Sequence, residues 1–173
     1  EIGMGDNIWL EDRNGVRTPM QWTDEMPGAG FSTAPPEAFY APLIDDPVYG
    51  PQQVNVEAQR ADPDSLLNTL RQMIAVRKAT KSFGLGDIQF VEPEEKAVLA
   101  FTRTYQGQTV LAIHNLTDAV MSAELPLHDY AGYQVKDLNH GQRRWPPIGE
   151  RGLSPGRLRP SEYAWLLLSA PLA

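Results

Sequence analysis

With 173 residues the chain has room for one domain, or one domain and an appendage, and its 42% hydrophobic against 21% charged residues supply a packed core and exclude wholesale disorder. A formal net charge of −7 and an isoelectric point near 4.9 exclude a partner held through its phosphate backbone, so no nucleic-acid partner is expected. The chain has no cysteine, which rules out disulfides, thiolate zinc sites and thiol catalysis, and it has no run of about 18 apolar residues, so no membrane partner is expected.

Lack of cysteine fits a reducing compartment, and a cytoplasmic location is the expectation. The sequence opens at Glu1-Ile2-Gly3-Met4-Gly5 without an initiating methionine or a signal peptide, and is expected to be a segment of a longer polypeptide.

Residues 1–61 are dense in punctuation: Asn14-Gly15, Pro27-Gly28, Pro35-Pro36, Pro42, Pro47 and Gly50-Pro51 interrupt any regular element. The stretch nevertheless carries Trp9, Trp22, Phe31, Phe39, Tyr40 and Tyr49, which a disordered linker would lack. It reads as a long loop that builds a site when a rigid scaffold holds it.

Residues 62–83 read as one amphipathic helix. Asp62 is placed to cap it, Pro63 suits its first position, and Asp64 complements the positive end of its dipole. Leu66, Leu70, Met73 and Ile74, with Leu67 beside them, form one apolar stripe that should face a core. Arg71, Arg77, Lys78 and Lys81 supply the cationic half, and Gly84 is expected to end it.

Residues 87–173 read as β. Strands over 97–105 and 109–116 flank Gln106-Gly107-Gln108, a hairpin signal, and further strands are expected over 120–127, 133–138 and 162–168. Pro126, Pro146 and Pro147 should mark edges or loops. The fold class is therefore mostly β: a C-terminal antiparallel β-sandwich preceded by one amphipathic helix and a long loop region. No row of aromatics at alternate positions is evident along these strands, so a sugar-stacking face on the sandwich is not expected.

His114, His128 and His140 share no ligand spacing, so no metal site is expected and structural or surface roles are assigned to them. Gly3-Met4-Gly5 and Gly84-Leu85-Gly86 lack the further residues of a phosphate loop, no Gly-x-Ser-x-Gly turn is present, and no cofactor is expected. Arg143, Arg144, Arg151, Arg157 and Arg159 are interleaved with Pro and Gly and read as a solvated loop. Glycoside chemistry needs two carboxyl groups at about 5–5.5 Å for retention or about 6.5–9.5 Å for inversion. Glu11-Asp12, Asp24-Glu25 and Asp45-Asp46 are adjacent in sequence, which is how solvated turn residues occur, and none is assigned a catalytic role.

The most distinctive segment runs from Asp12 to Trp22: a turn at Asn14-Gly15, then an extended piece ended by Pro19, presenting Arg13, Arg17, Gln21 and Trp22. Guanidinium and amide donors beside an aromatic face suit a sugar, whose hydroxyls take donors and whose C–H face stacks on rings. A structural arginine paired with Asp12 or Asp6 explains the same residues, and composition alone leaves both readings open.

Arg17-Thr-Pro-Met-Gln-Trp22 resembles the Arg-x-Pro-Met-x-Trp pattern in the loop after the eighth barrel strand of the α-amylase family of retaining α-glucosidases and transglucosidases. Glu1-Ile-Gly-Met-Gly-Asp6 is similar to the end of that family's Gly-Asp-Glu-Ile-Gly stretch. Asp45–Gly50, Asn55–Gln59, Ser65–Asn68 and Pro146–Glu150 resemble the trehalose synthase branch more closely than the oligo-1,6-glucosidase branch.

The resemblance implies a (β/α)8 barrel followed by an antiparallel β-sandwich, with residues 1–83 the last loop and helix of the barrel and residues 84–173 the sandwich. It implies a parent enzyme that interconverts maltose and trehalose by intramolecular glucosyl transfer through a covalent glucosyl–carboxylate intermediate. An oligo-1,6-glucosidase, a sucrose-isomerising relative, or a non-catalytic carbohydrate-associated sandwich are the alternatives. The family's nucleophile, acid/base and third carboxylate would all precede Glu1, so this stretch alone is expected to be inactive. What carries over is Arg17, with Asp12 and Arg13, as substrate-side groups for a disaccharide. A homo-oligomer formed through the apolar surface that the missing barrel strands would cover is a further expectation.

Overall fold

The structure, a computed structural model, describes residues 1–139 and 144–171; His140 and Arg143 lie outside them. It divides into two compact units, Glu1–Met73 and Ile74–Ala173.

Turns dominate the first unit. Its regular pieces are 3-10 turns at Asn14–Val16 and Pro36–Ala38, a short helix α1 over Val56–Ala61, and the start of α2, Leu66–Ala79. Helix α1 has no counterpart in the sequence reading. Asn55 starts it, its side-chain oxygen accepting the Ala58 N–H at 2.8 Å while its amide donates to the Pro51 carbonyl at 2.9 Å. Few ladders are available to a chain so rich in Pro and Gly, so side chains satisfy the backbone instead. Gln59 shows this best: its Nε2 donates to the Ile2 carbonyl at 2.6 Å, and its Oε1 accepts from the Leu67 N–H at 3.0 Å.

The predicted helix over 62–83 is shorter and differently capped. Asp62 closes α1 rather than opening α2, because a residue ahead of proline avoids the helical region; its φ and ψ are −94° and 112°. Ser65 opens α2, its hydroxyl oxygen accepting from the Asn68 N–H at 3.2 Å. Gly84 does not end α2 but lies inside a separate one-turn helix, α3, over Ser82–Leu85. No residue of α2 is buried, and of the stripe Leu66 and Ile74 are exposed, so the core-facing role is not realised among the described residues.

The second unit holds the strands β1 (Asp87–Val91), β2 (Val98–Tyr105), β3 (Gln108–Asn115), β4 (Met121–Ser122), β5 (Gln134–Asp137), β6 (Arg157–Leu158) and β7 (Tyr163–Ser169). A five-stranded sheet in the order β1-β2-β3-β7-β5 is antiparallel throughout, and β4 pairs β6 in a small second sheet. The β2–β3 hairpin turns on Gln106 and Gly107, both at positive φ (48° and 78°), as a two-residue turn matched to strand twist requires. The strand expected over 120–127 shrinks to β4 plus a bridge from Leu125 to Leu153, since Pro126 has no N–H to donate. Strands β1 and β6 were not foreseen.

Alternate residues of the large sheet (Val98, Ala100, Leu111, Ile113, Leu166 and Leu168) pack with Leu125, Ile148, Leu153 and Leu158, which makes the expected sandwich. Asn115 sits buried where β3 ends. Its amide donates to the carbonyls of Ala119 (2.7 Å) and Arg159 (2.8 Å), and its oxygen accepts from the Thr117 N–H (3.0 Å) and hydroxyl (2.8 Å).

The sheet's other face carries an aromatic row that the sequence reading did not anticipate. It crosses β1, β2, β3 and β7 and then continues along β7: Phe90, Phe101, His114, Tyr163 and Trp165 follow one another with ring centroids 6.2–6.3 Å apart. Phe83 covers Trp165 at 4.6 Å. Burial in this row pushes the His114 imidazole below its ordinary pKa. No helix among the described residues is long and apolar enough to cross a membrane.

Candidate functional site

The segment from Asp12 to Trp22 is pinned at both ends. At the near end, the Asn7 N–H donates to the Gly15 carbonyl at 3.0 Å, and a Cβ on Gly15 would stand 2.2 Å from the Asn7 oxygen, so only glycine lets the two backbone segments approach. At the far end Gln21 is fully buried, and its Nε2 donates to the carbonyls of Tyr49 and Val54. The backbone oxygens of Gln21 and Trp22 accept the first N–H groups of α1, from Val56 and Glu57, each at 3.0 Å.

Between these anchors, Asp12, Arg13 and Arg17 lie exposed on one turn. Asp12 takes φ 53°, a left-handed value that aspartate tolerates. The Arg17 N–H donates to the Asn14 carbonyl at 3.0 Å, closing the turn. Among the described residues no group pairs with the side chains of Asp12, Arg13 or Arg17, so the structural ion pair with Asp12 or Asp6 is absent. Gln21 departs from the sequence reading: it is a buried strut, not a sugar donor. Trp22 remains half-exposed.

Val16, the neighbour of Arg17, forms part of the wall of a hollow of about 640 Å³ whose other lining includes Glu1, Met4, Asp6, Asp46 and Tyr49. A second hollow of about 380 Å³ shares Asp6, Ile44 and Asp46 and is also lined by Asn7 and Trp9. Sequence reasoning missed Asp6 and Tyr49 as wall residues, because chain positions about forty apart become neighbours only in the folded unit.

The carboxylate pairs serve turns. Asp46 Oδ1 accepts the N–H groups of Val48 (2.8 Å) and Tyr49 (2.9 Å), and Glu11, Asp12, Asp24 and Glu25 are exposed. Glu1 accepts the Gly3 N–H at 2.6 Å, which holds its carboxyl below the usual range. Among the described residues no three His, Asp or Glu side chains are arranged to hold a metal ion. His128 lies with Nδ1 at 3.0 Å from the Glu150 carbonyl, and Arg144, Arg151, Arg157 and Arg159 are exposed.

Residues 5–86 match the α-amylase catalytic domain and residues 88–165 the maltogenic amylase C-terminal domain. The chain is 47% identical over 153 residues to the trehalose synthase/amylase of Mycobacterium tuberculosis, covering 87% of this chain and 25% of that protein. It is 45% identical over 154 residues to the trehalose synthase of a Pimelobacter species, covering 87% and 26%. The crystal structure of trehalose-6-phosphate hydrolase from Bacillus licheniformis superposes with a TM-score of 0.72 at 25% identity, covering 92% of this chain and 27% of that one. The chain thus spans about a quarter of the length of the relatives it matches.

Proposed function

Because the chain belongs to the α-amylase family, we propose that it forms the leaving-group side of an enzyme that interconverts maltose and trehalose by intramolecular α-glucosyl transfer. In this reading residues 1–83 complete a catalytic barrel and residues 84–173 form the appended sandwich. The carrying observation is Arg17, an exposed guanidinium with no partner among the described residues, mounted on a turn fixed at both ends. Isomerisation requires that the freed glucose stay bound while a different hydroxyl comes round to the glucosyl carbon. A charged donor with five N–H groups is suited to holding it, and such bonds are each worth roughly 1.5–3 kcal/mol. Asp12 and Arg13, on the same turn, are placed to orient Arg17 or the sugar.

The 173 residues alone are proposed to be inert, since their paired carboxylates are exposed or committed to turns and cannot supply both a nucleophile and a proton donor. In the whole protein, Arg17→Ala is expected to lower trehalose formed from maltose relative to glucose released. An unchanged ratio removes the role assigned to Arg17. Wild-type protein that hydrolyses maltose or isomerises sucrose without forming trehalose points to the glucosidase or sucrose-isomerase alternative. Copies of the isolated chain are proposed to associate through the exposed stripe of α2, which light scattering over a dilution series tests.

A further inference from the structure

Tyr49 is held more firmly than an exposed aromatic needs to be. Its N–H donates to Asp46 Oδ1 at 2.9 Å, and its carbonyl accepts from the buried Gln21 amide at 3.1 Å. Gly5 presses against its side chain so closely that a Cβ there would lie 2.7 Å from the Tyr49 Cβ. Yet the residue stays 50% exposed, on the wall of the larger hollow. A backbone fixed on both sides, with a ring left open to a cavity, is a mounted platform.

Asp6 stands where the two hollows meet and lines both. Its carboxylate is exposed and has no partner among the described residues, unlike Asp46 and Glu1, which accept backbone N–H groups. An aromatic face and an unengaged acceptor around one hollow match the two surfaces of a pyranose, whose C–H face stacks and whose hydroxyls donate.

We propose that Tyr49 and Asp6 form a glucose-binding subsite beside Arg17, with the Tyr49 ring stacking on the sugar and the Asp6 carboxylate accepting from its hydroxyls. The proposal rests on the transglucosylation reading above and assigns to these two residues the unit released and recaptured during turnover. The platform limits tumbling of the free glucose to turns about the stacking axis, and Asp6 supplies an acceptor on the same hollow, whose wall includes Val16, the neighbour of Arg17.

Kinetics of the whole protein on maltose test this. Tyr49→Leu keeps the apolar bulk and removes the ring; KM is expected to rise about tenfold, with more glucose escaping, while Tyr49→Phe, which restores the stacking ring, is expected to recover most of that loss. Asp6→Asn is expected to raise KM severalfold without lowering thermal stability. Tyr40→Ala, at a 91% exposed site lining neither hollow, serves as the control. If the wild type isomerises maltose while Tyr49→Leu and Asp6→Asn keep its KM and product ratio, the subsite is overturned. If Tyr49→Leu fails to fold, the Asp6→Asn result decides alone. If the wild type makes no trehalose, the transglucosylation reading fails instead. The subsite is then read from the ring signal of Tyr49 in tyrosine-labelled protein titrated with glucose, where a shift upholds sugar binding and none overturns it.

Discussion

The two units are held together by different physics. In Ile74–Ala173, apolar side chains from both sheets form one buried cluster, and burial of each contributes about 1.5–3 kcal/mol. In Glu1–Met73 the buried apolar set is sparse (Ile2, Ala29, Ala41, Ile44 and Val56), and polar struts such as Gln21, Asn55 and Gln59 take over. A clustered core tolerates change at its edges and suffers at its centre. A strutted loop holds side chains in fixed places with little apolar mass, and each strut matters locally. The proposed site lies in the strutted unit, which fits the general placement of function on loops held in position.

The largest effect is expected at the centre of the cluster. Leu166→Ala, at a fully buried position, should cost about 2–5 kcal/mol and melt the second unit first. Thermal unfolding followed at Trp165 checks it, and a loss below about 1 kcal/mol would erase the contrast.

Gly15→Ala comes next. The new Cβ would meet the Asn7 carbonyl oxygen, so the Arg17 turn must shift, at a cost of about 1–3 kcal/mol confined to the first unit. Hydrogen exchange should quicken at Asn7 and Arg17 and not at Leu111. Quickening in both units would mean that the first has no independent framework.

The smallest effect belongs to His114. Burial lowers its folded pKa, so between the folded and unfolded values the unfolded chain binds more protons, and stability falls as pH drops below about 6.5. His114→Gln should flatten that part of the stability profile relative to wild type in urea titrations at pH 8 and pH 5. Parallel profiles would show that the imidazole is solvated.

Much of the second unit was legible because its signals are local. The Gln106-Gly107 turn, the apolar run of β3 and the alternating burial of β2 and β7 each sit within a few residues in the chain. The aromatic row was not legible, since Phe90, Phe101, His114 and Tyr163 become neighbours only through register across four strands. In the first unit, Arg17 stood out through its motif. Asp6 and Tyr49 did not, because a buried glutamine reaching 28 positions along the chain leaves no periodicity to read. The start of α2 was misplaced because Asp62-Pro63 looks like a cap and first helical residue, whereas here it ends α1.

Asn115 has a bearing on how this polypeptide can be produced. Asn115-Leu116-Thr117 spells the acceptor triplet for N-linked glycosylation, which requires an accessible amide. Here that amide is buried and donates to the Ala119 carbonyl just after β3 and to the Arg159 carbonyl, which ties the end of β3 to the loop ahead of β7. A glycan could be attached only before the sheet closes, and once attached it would block that closure. Passage through a secretory pathway with such machinery would therefore trade folded protein for modified, open chains, and replacing Thr117 with alanine would remove the hazard at the cost of its hydroxyl bond to Asn115.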